Sequence, residues 1–428
     1  MTDIVARLSN GHPAAAALKG IYSICSAHPS VLAAAMRQAL DDGTPLLIES
    51  TSNQVDQFGG YTGMRPADFV AFVHRIADTT GFPRDRLILG GDHLGPNAWR
   101  SLPAEEAMTR ADALIDAYVS AGFTKIHLDT SMSCGGDPER LSDRVVAERA
   151  SRLCAIAEAA AGRAGAGNKP VYVIGTEVPV PGGASEALDT VEVTGKEAAL
   201  ETVAVHRDAW RARHLDHAWE RVIALVVQPG VEFDHTKVID YQPQLATGLS
   251  AALKAMPGMV FEAHSTDYQR PDALHALVRD GFAILKVGPG VTFALREALY
   301  ALADIETALL PASERSNLRD VVETVMLQKP ANWEKYYHGD ERQQRLLRTY
   351  SYSDRVRYYW ADPTVEAAAQ KLLSNLTGVA IPENLLSQYL PVQYWQIRSG
   401  EIDGSPKSIV ESKVREVIRS YARACRGG

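Results

Sequence analysis

The chain has 428 residues, enough for two domains or for one large barrel with an extension, and too many for a peptide or lone binding motif. Its 46% hydrophobic and 22% charged residues lie close to globular averages of about 45 to 50% and about 25%, which excludes disorder as the dominant state. Lys plus Arg total 44 against 52 for Asp plus Glu, and a net charge of −8 repels a phosphate backbone, so nucleic acid is not an expected partner.

Cys25, Cys134, Cys154 and Cys425 are far apart and form no CxxC pair, which fits a reducing cytosol better than a disulfide framework or a zinc ribbon. The opening MTDIVARLSNGHP has no apolar signal region, and no stretch approaches the roughly 18 apolar residues of a membrane span. A cytoplasmic protein with no membrane partner is expected.

Along the chain, short apolar runs alternate with amphipathic segments. The runs are LKGIYSIC, PLLIEST, RLILGGDH, KIHLDTS, VYVIGTE, VIALVVQ, MVFEAH and AILKVG, and patterns such as PSVLAAAMRQAL and PADFVAFVHRIA separate them. Near-continuous apolar strands alternating with helices indicate parallel βαβ units, and eight units predict a TIM (β/α)8 barrel over residues 1–310. Polar residues fall at the C-terminal end of each run, where barrel active sites are built; a doubly wound open sheet would gather them near one switch point instead. From about 310 the alternation stops, and residues 311–428 read as a helical C-terminal extension rich in Tyr, Trp and Arg. Within it, Arg355, Arg357, Tyr358, Tyr359 and Trp360 are of the types enriched at interface cores, and are the candidates for covering the barrel or for contact in a homo- or hetero-oligomer.

The strand ends supply the candidate chemistry. Asp92 and His93 are adjacent, so both reach one site only if the backbone turns there, which Gly90, Gly91 and Gly95 permit. Glu262 and His264 are two apart and share a strand face. With Glu177 at another strand end, His93, Glu177 and His264 form a candidate open site for zinc or another divalent metal, and Asp92 and Glu262 are the candidate catalytic carboxylates. His127 and Asp129 also share a face, and one of them would serve equally well as an orienter of a ligand; their roles stay unassigned. KVGPG, residues 286–290, precedes a helical pattern, so Lys286 with the amides of Gly288 and Gly290 makes a candidate phosphate site, against the alternative of a tight turn with Lys286 paired to a barrel carboxylate. The Gly-rich QFGGYTGM needs no function beyond that of a loop. No nucleotide is expected: the nearest approach to a P-loop, ending at VTGKE, has Thr190 in place of its first Gly and Glu197 in place of the magnesium-binding hydroxyl.

Taken together, STSNQVDQFGGYTGM, ILGGDHLGPNAW, KIHLDTSMSCGGDP, VIGTEVPVPGG, VVQPGVEFDH, EAHSTDYQ and ILKVGP closely resemble the Z-type subunit of class II D-tagatose-1,6-bisphosphate aldolase. MLQKPANWEKYY, YSYSDRVRYYW and IPENLLSQYLPVQ extend the resemblance into the tail. The resemblance implies an accessory subunit, itself non-catalytic, that supports the activity and stability of a catalytic class II aldolase partner in galactitol and N-acetylgalactosamine catabolism, with a phosphorylated ketose as ligand. Some such proteins carry an older label of tagatose-6-phosphate kinase, which no motif here supports. In the catalytic relatives a strand-end Asp-His pair supplies an acid/base carboxylate and a zinc-binding imidazole, and Asp92 and His93 look like that pair. His264 resembles a further zinc ligand, and Glu177 or a neighbour would have to be the third. The alternative expectation is a metal-dependent ketose or ketose-phosphate epimerase or aldolase acting on its own, because both reactions need a Lewis acid at C2 and a proton carrier at the C4 hydroxyl.

Overall fold

The structure is a computed structural model and describes residues 4–165, 169–175 and 191–427. Eight strands form a closed barrel: β1 (Ile21–Ile24), β2 (Leu46–Thr51), β3 (Leu87–Leu94), β4 (Lys125–Leu128), β5 (Val171–Ile174), β6 (Val222–Val227), β7 (Val260–Ala263) and β8 (Phe282–Val287). Each pairs in parallel with its sequence neighbours, and β1 closes the ring on β8. Each of the eight apolar runs overlaps one of these strands, so the predicted TIM barrel is the observed fold.

Alternation along the strands sorts side chains between two cores. Outward-facing residues such as Ile24, Ile48, Leu89 and Phe261 pack under the helices, while Ile21, Leu47, Ile88, Val173, Val260 and Ile284 fill the barrel floor. The helix Ile4–Leu8 closes that floor from below with Ile4, Val5 and Leu8, and Arg7 donates to the carbonyls of Gly258 and Glu220. Helices start and stop on local signals: Pro29–Asp42 has Pro at its first position and a left-handed Gly43 beyond its end, and Pro66–Thr80 ends the same way on Gly81.

Of the helices after Leu309, the last returns to the barrel's own layer. The last of them, Pro406–Arg426, packs against Pro29–Asp42, Pro271–Arg279, Pro289–Leu309 and β1, a place in the barrel's outer ring. Its Cys425 carbonyl accepts from the amides of Lys19 and Gly20 at the entry to β1, and its Tyr421 hydroxyl donates to the Thr266 carbonyl at 2.6 Å. The last helix of the extension expected over 311–428 therefore packs with the barrel. Among the described residues no helix is long and apolar enough to cross a membrane.

Candidate functional site

Above the apolar floor the barrel interior turns ionic. Glu49 on β2, Lys125 on β4, Glu262 on β7 and Lys286 on β8 all point inward at the register positions that follow the floor residues, and all are buried. Lys125 Nζ lies 2.7 Å from Glu49 Oε1 and 2.7 Å from Glu262 Oε2. Lys286 Nζ bridges Glu49, Asp92 Oδ1 at 2.8 Å and Glu262 Oε1 at 3.7 Å. Burial opposes the charge of Lys286, but the carboxylates of Asp92, Glu49 and Glu262 outweigh it and hold the ammonium well above the ordinary lysine range. Burial likewise disfavours ionised Glu262, and the two lysines reverse that and hold it well below the usual carboxylate range.

The next level up carries the imidazoles. Asp92 and His93 both reach the mouth because β3 bulges between Gly91 and Leu94, with His93 itself in the left-handed region at φ 50°. The glycines give close approach: a Cβ on Gly90 would lie 2.5 Å from Glu49 Oε1, and one on Gly95 only 1.6 Å from the Asp129 carbonyl oxygen. The rings of His93, His127 and His264 stand 4.9 to 5.3 Å apart between centroids. Ligand-capable atoms of Asp92, His93, His127 and His264 all fall within 4.8 Å of one another.

Hydrogen bonds orient each ring. Asp129 Oδ2 accepts from His93 Nδ1 at 2.7 Å, which leaves the lone pair of Nε2 for the cavity. Glu262 Oε1 holds His264 Nε2 at 2.9 Å, and burial pushes the His264 ring down to about 4, so it is a neutral donor at physiological pH. His127 Nε2 donates to the Gly175 carbonyl at 3.0 Å, which turns Nδ1 toward Asp92 Oδ1 at 3.1 Å. His127 Nδ1 also accepts from the His93 amide at 3.2 Å, and Lys286 Nζ lies 2.8 Å from the same Asp92 oxygen. Across the level, Glu49, Asp92, Asp129 and Glu262 face two ammonium groups and the His93 ring, which burial would neutralise but Asp92 and Asp129 hold above the usual imidazole range. Imidazole and carboxylate donors that converge on one point fit a divalent transition metal by their chemistry.

The predicted site residues are thus distributed as follows. Asp92, His93, Glu262 and His264 come together. Glu177 lies outside the described residues. His127, left without a role by spacing alone, faces the cluster as its third imidazole, and Asp129 is the orienter of His93. Glu262 does not face the cavity freely; it is tied to Lys125 and His264. Lys286 is ion-paired inside the barrel, and the amides of Gly288 and Gly290 donate to Asp267 Oδ1 at 2.9 and 2.7 Å. The anion held by KVGPG is therefore the protein's own carboxylate, and a phosphate would have to displace it.

The lid over this level comes from the loop after β2, read from sequence as a mere loop, and from the tail residues expected to cover the barrel. Gln54 and Tyr61 from the loop after β2, with Arg357 and Tyr358 from the tail, line a cavity of about 80 Å³ together with Asp92, His93, His264 and Lys286. The tail is pinned there: Asp354 accepts from Thr292 Oγ1 at 2.6 Å and Arg296 Nε at 2.8 Å, and Tyr268 donates to the Tyr352 carbonyl at 2.6 Å. The aromatic run, a candidate for covering the barrel or for subunit contact, packs largely within the chain. Arg355, Tyr359 and Trp360 are buried in the chain, and the three rings diverge: Tyr358 packs edge-on against Tyr61, Trp360 against His28, and Tyr359 donates to the Lys329 carbonyl. A second surface does receive these rings, as helical geometry requires, but it belongs to the same molecule.

Fold and site together define a (β/α)8 barrel protein with a candidate divalent-metal centre at its C-terminal mouth. The chain belongs to the D-tagatose-1,6-bisphosphate aldolase subunit GatZ/KbaZ-like family, whose model matches residues 1–426. It is 55% identical to a probable tagatose 6 phosphate kinase from Sinorhizobium meliloti 1021, with a TM-score of 0.88 over 95% of this chain and 100% of that one. A more distant likeness, at 13% identity and a TM-score of 0.51, is to the fructuronate-tagaturonate epimerase UxaE from Cohnella laeviribosi, over 95% of this chain and 81% of that chain, and shows a shared fold.

Proposed function

We propose that this protein is itself a metal-dependent enzyme that acts on the C3–C4 bond of a ketose phosphate, by aldol cleavage or by 4-epimerisation. The observation that carries this reading is the group of Asp92, His93, His127 and His264, whose ligand-capable atoms lie within 4.8 Å of one another under a lid. His93 through Nε2 and His264 through Nδ1 would hold the ion, and His127 would join them on giving up the contact of its Nδ1 with the His93 amide; zinc suits these donors. When bound, such an ion supplies Lewis acidity for the C2 carbonyl oxygen.

The remaining work falls to the chain. Burial would neutralise Asp92, but Lys286, His93 and His127 hold its carboxyl well below the usual range, so it is an anionic acceptor for the C4 hydroxyl proton. Loss of that proton makes the C4 oxygen a carbonyl and breaks the C3–C4 bond, whose electron pair passes toward the C2 carbonyl. Release of the aldehyde, with the proton on Asp92 passed to C3 of the enediolate, is cleavage; its re-addition through the other face, with that proton returned to the C4 oxygen, gives the 4-epimer. Tyr61, Arg357 and Tyr358 above the site limit water, which would otherwise protonate C3.

A second reading, an accessory subunit for a catalytic class II aldolase in the cytoplasm, is supported by the family's description as an aldolase subunit. The deciding experiment assays metal-loaded protein, alone and with a class II catalytic subunit, against tagatose 1,6-bisphosphate, tagatose 6-phosphate and a panel of ketoses. Turnover by the protein alone that disappears on chelation is the expected result. No turnover alone, combined with raised activity and thermal resistance of the added subunit, would replace this reading with the accessory one.

A further inference from the structure

The positive groups around the mouth are mostly engaged. Lys286 is shared by three carboxylates, and the amides of Gly288 and Gly290 are taken by Asp267. Other buried arginines have acidic partners, such as Asp354 for Arg296 and Glu323 for Arg348. Arg355, which has none, lies flat over the Tyr336 ring at 3.2 Å and donates to the Asn332 carbonyl.

Arg357 differs from all of these. It lines the mouth cavity, and among the described residues no carboxylate lies within ion-pairing distance of it. Its guanidinium is fixed by the carbonyls of Ser353 and Asp354 and by the Tyr358 hydroxyl at 2.9 Å, with the Tyr358 ring 4.5 Å below it. Those contacts use three of its five N–H donors and leave two. Arg357 also lines an adjoining cavity of about 320 Å³ that extends past Tyr61 and Gln54 to Ser26, Ser30 and Trp360. A ligand with its carbonyl end at the imidazoles therefore has room for a tail that passes beneath this guanidinium.

We propose that Arg357 is the phosphate anchor of the site and sets its preference for phosphorylated over free ketoses, an inference that rests on the ketose-phosphate reading above. A fixed, unpaired guanidinium fork suits a phosphate dianion, whereas a neutral hydroxymethyl end gains little from it.

The test is calorimetric titration of metal-loaded wild type, Arg357→Gln and Arg357→Lys with D-tagatose 6-phosphate, D-tagatose and inorganic phosphate, alongside metal content and Tm. Wild type is expected to bind the phosphorylated sugar at least about tenfold more tightly than the free one, the scale of one or two charge-assisted hydrogen bonds. Arg357→Gln should remove most of that preference while binding of D-tagatose and metal content stay within about twofold, and Arg357→Lys should retain part of it. An undiminished preference in Arg357→Gln would place the phosphate elsewhere and overturn the assignment while leaving the enzyme reading intact. Equal loss for both sugars with a lowered Tm would make Arg357 structural. Wild type that binds metal but neither sugar would overturn the ketose-phosphate reading along with it.

Discussion

At the scale of single residues, the site works through partners that hold each ring in one orientation. His93 presents Nε2 to the cavity because Asp129 takes Nδ1, and removing such a partner typically costs about ten- to a hundredfold in metal affinity. Asp129→Asn should therefore lower zinc affinity by that factor, measured by competition with a chromophoric chelator, with little change in far-UV circular dichroism; unchanged affinity would remove His93 from the ligand set. A second residue tests burial itself. Glu232 is buried beside the mouth, and its burial pushes the carboxyl up from 4.5 to about 7, although the Phe233 amide and the Ser265 hydroxyl pull the other way. Between those two pH values the folded carboxyl keeps a proton that the unfolded chain has released, so folding stability falls as pH rises from about 4.5 through 7, by up to about 3 kcal/mol. Glu232→Gln should accordingly be more stable than wild type to urea at pH 8 and nearly equal at pH 5. A constant difference at both pH values would show that Glu232 does not titrate in this range.

At the scale of elements, strands β2, β4, β7 and β8 are joined inside the barrel by alternating charges. Lys125→Met leaves Glu49 and Glu262 with Lys286 as their shared cation, and breaking a buried pair from one side costs about 3 to 5 kcal/mol. A denaturant midpoint should report that loss, and Glu49→Gln added to Lys125→Met should recover part of it; additive losses would mean the pair is not coupled. The same scale shows what sequence patterning conveys. The eight strands were legible because apolar runs of strand length ended in polar residues, and Asp92 and His93 were legible because the adjacent glycines mark a bulge. His127 was visible only as a residue sharing a face with Asp129, since three imidazoles on three strands have no fixed spacing. The KVGPG loop was recognisable as an anion holder, but Asp267, some twenty residues earlier, could not be identified as the anion, because that depends on how the turn after β7 lies against β8.

At the scale of the whole molecule, the end of the tail is part of the barrel. Its final helix occupies the outer ring and hydrogen-bonds the entry to β1, so a chain ending at residue 405 loses Ile409, Val414, Ile418 and Tyr421 from the core. That truncation should yield insoluble or molten protein, read by near-UV circular dichroism and size-exclusion chromatography, and not the folded barrel that an appended extension would allow. A monodisperse, cooperatively unfolding 1–405 fragment would refute the integrated reading. The sequence by itself determined what depends on neighbours along the chain: strand and helix periodicity, the barrel, the polar strand ends and the Asp-His bulge. Only the tertiary structure decided what depends on residues far apart in the chain. It brought three imidazoles from β3, β4 and the end of β7 to one point, gave the lysines to the carboxylates, and laid Arg357 and Tyr358 over a mouth built more than sixty residues earlier. The physical reason is that periodicity records which way a side chain faces, whereas ligand sets, ion pairs and lids are fixed by closure of the barrel and by the packing of its last helix.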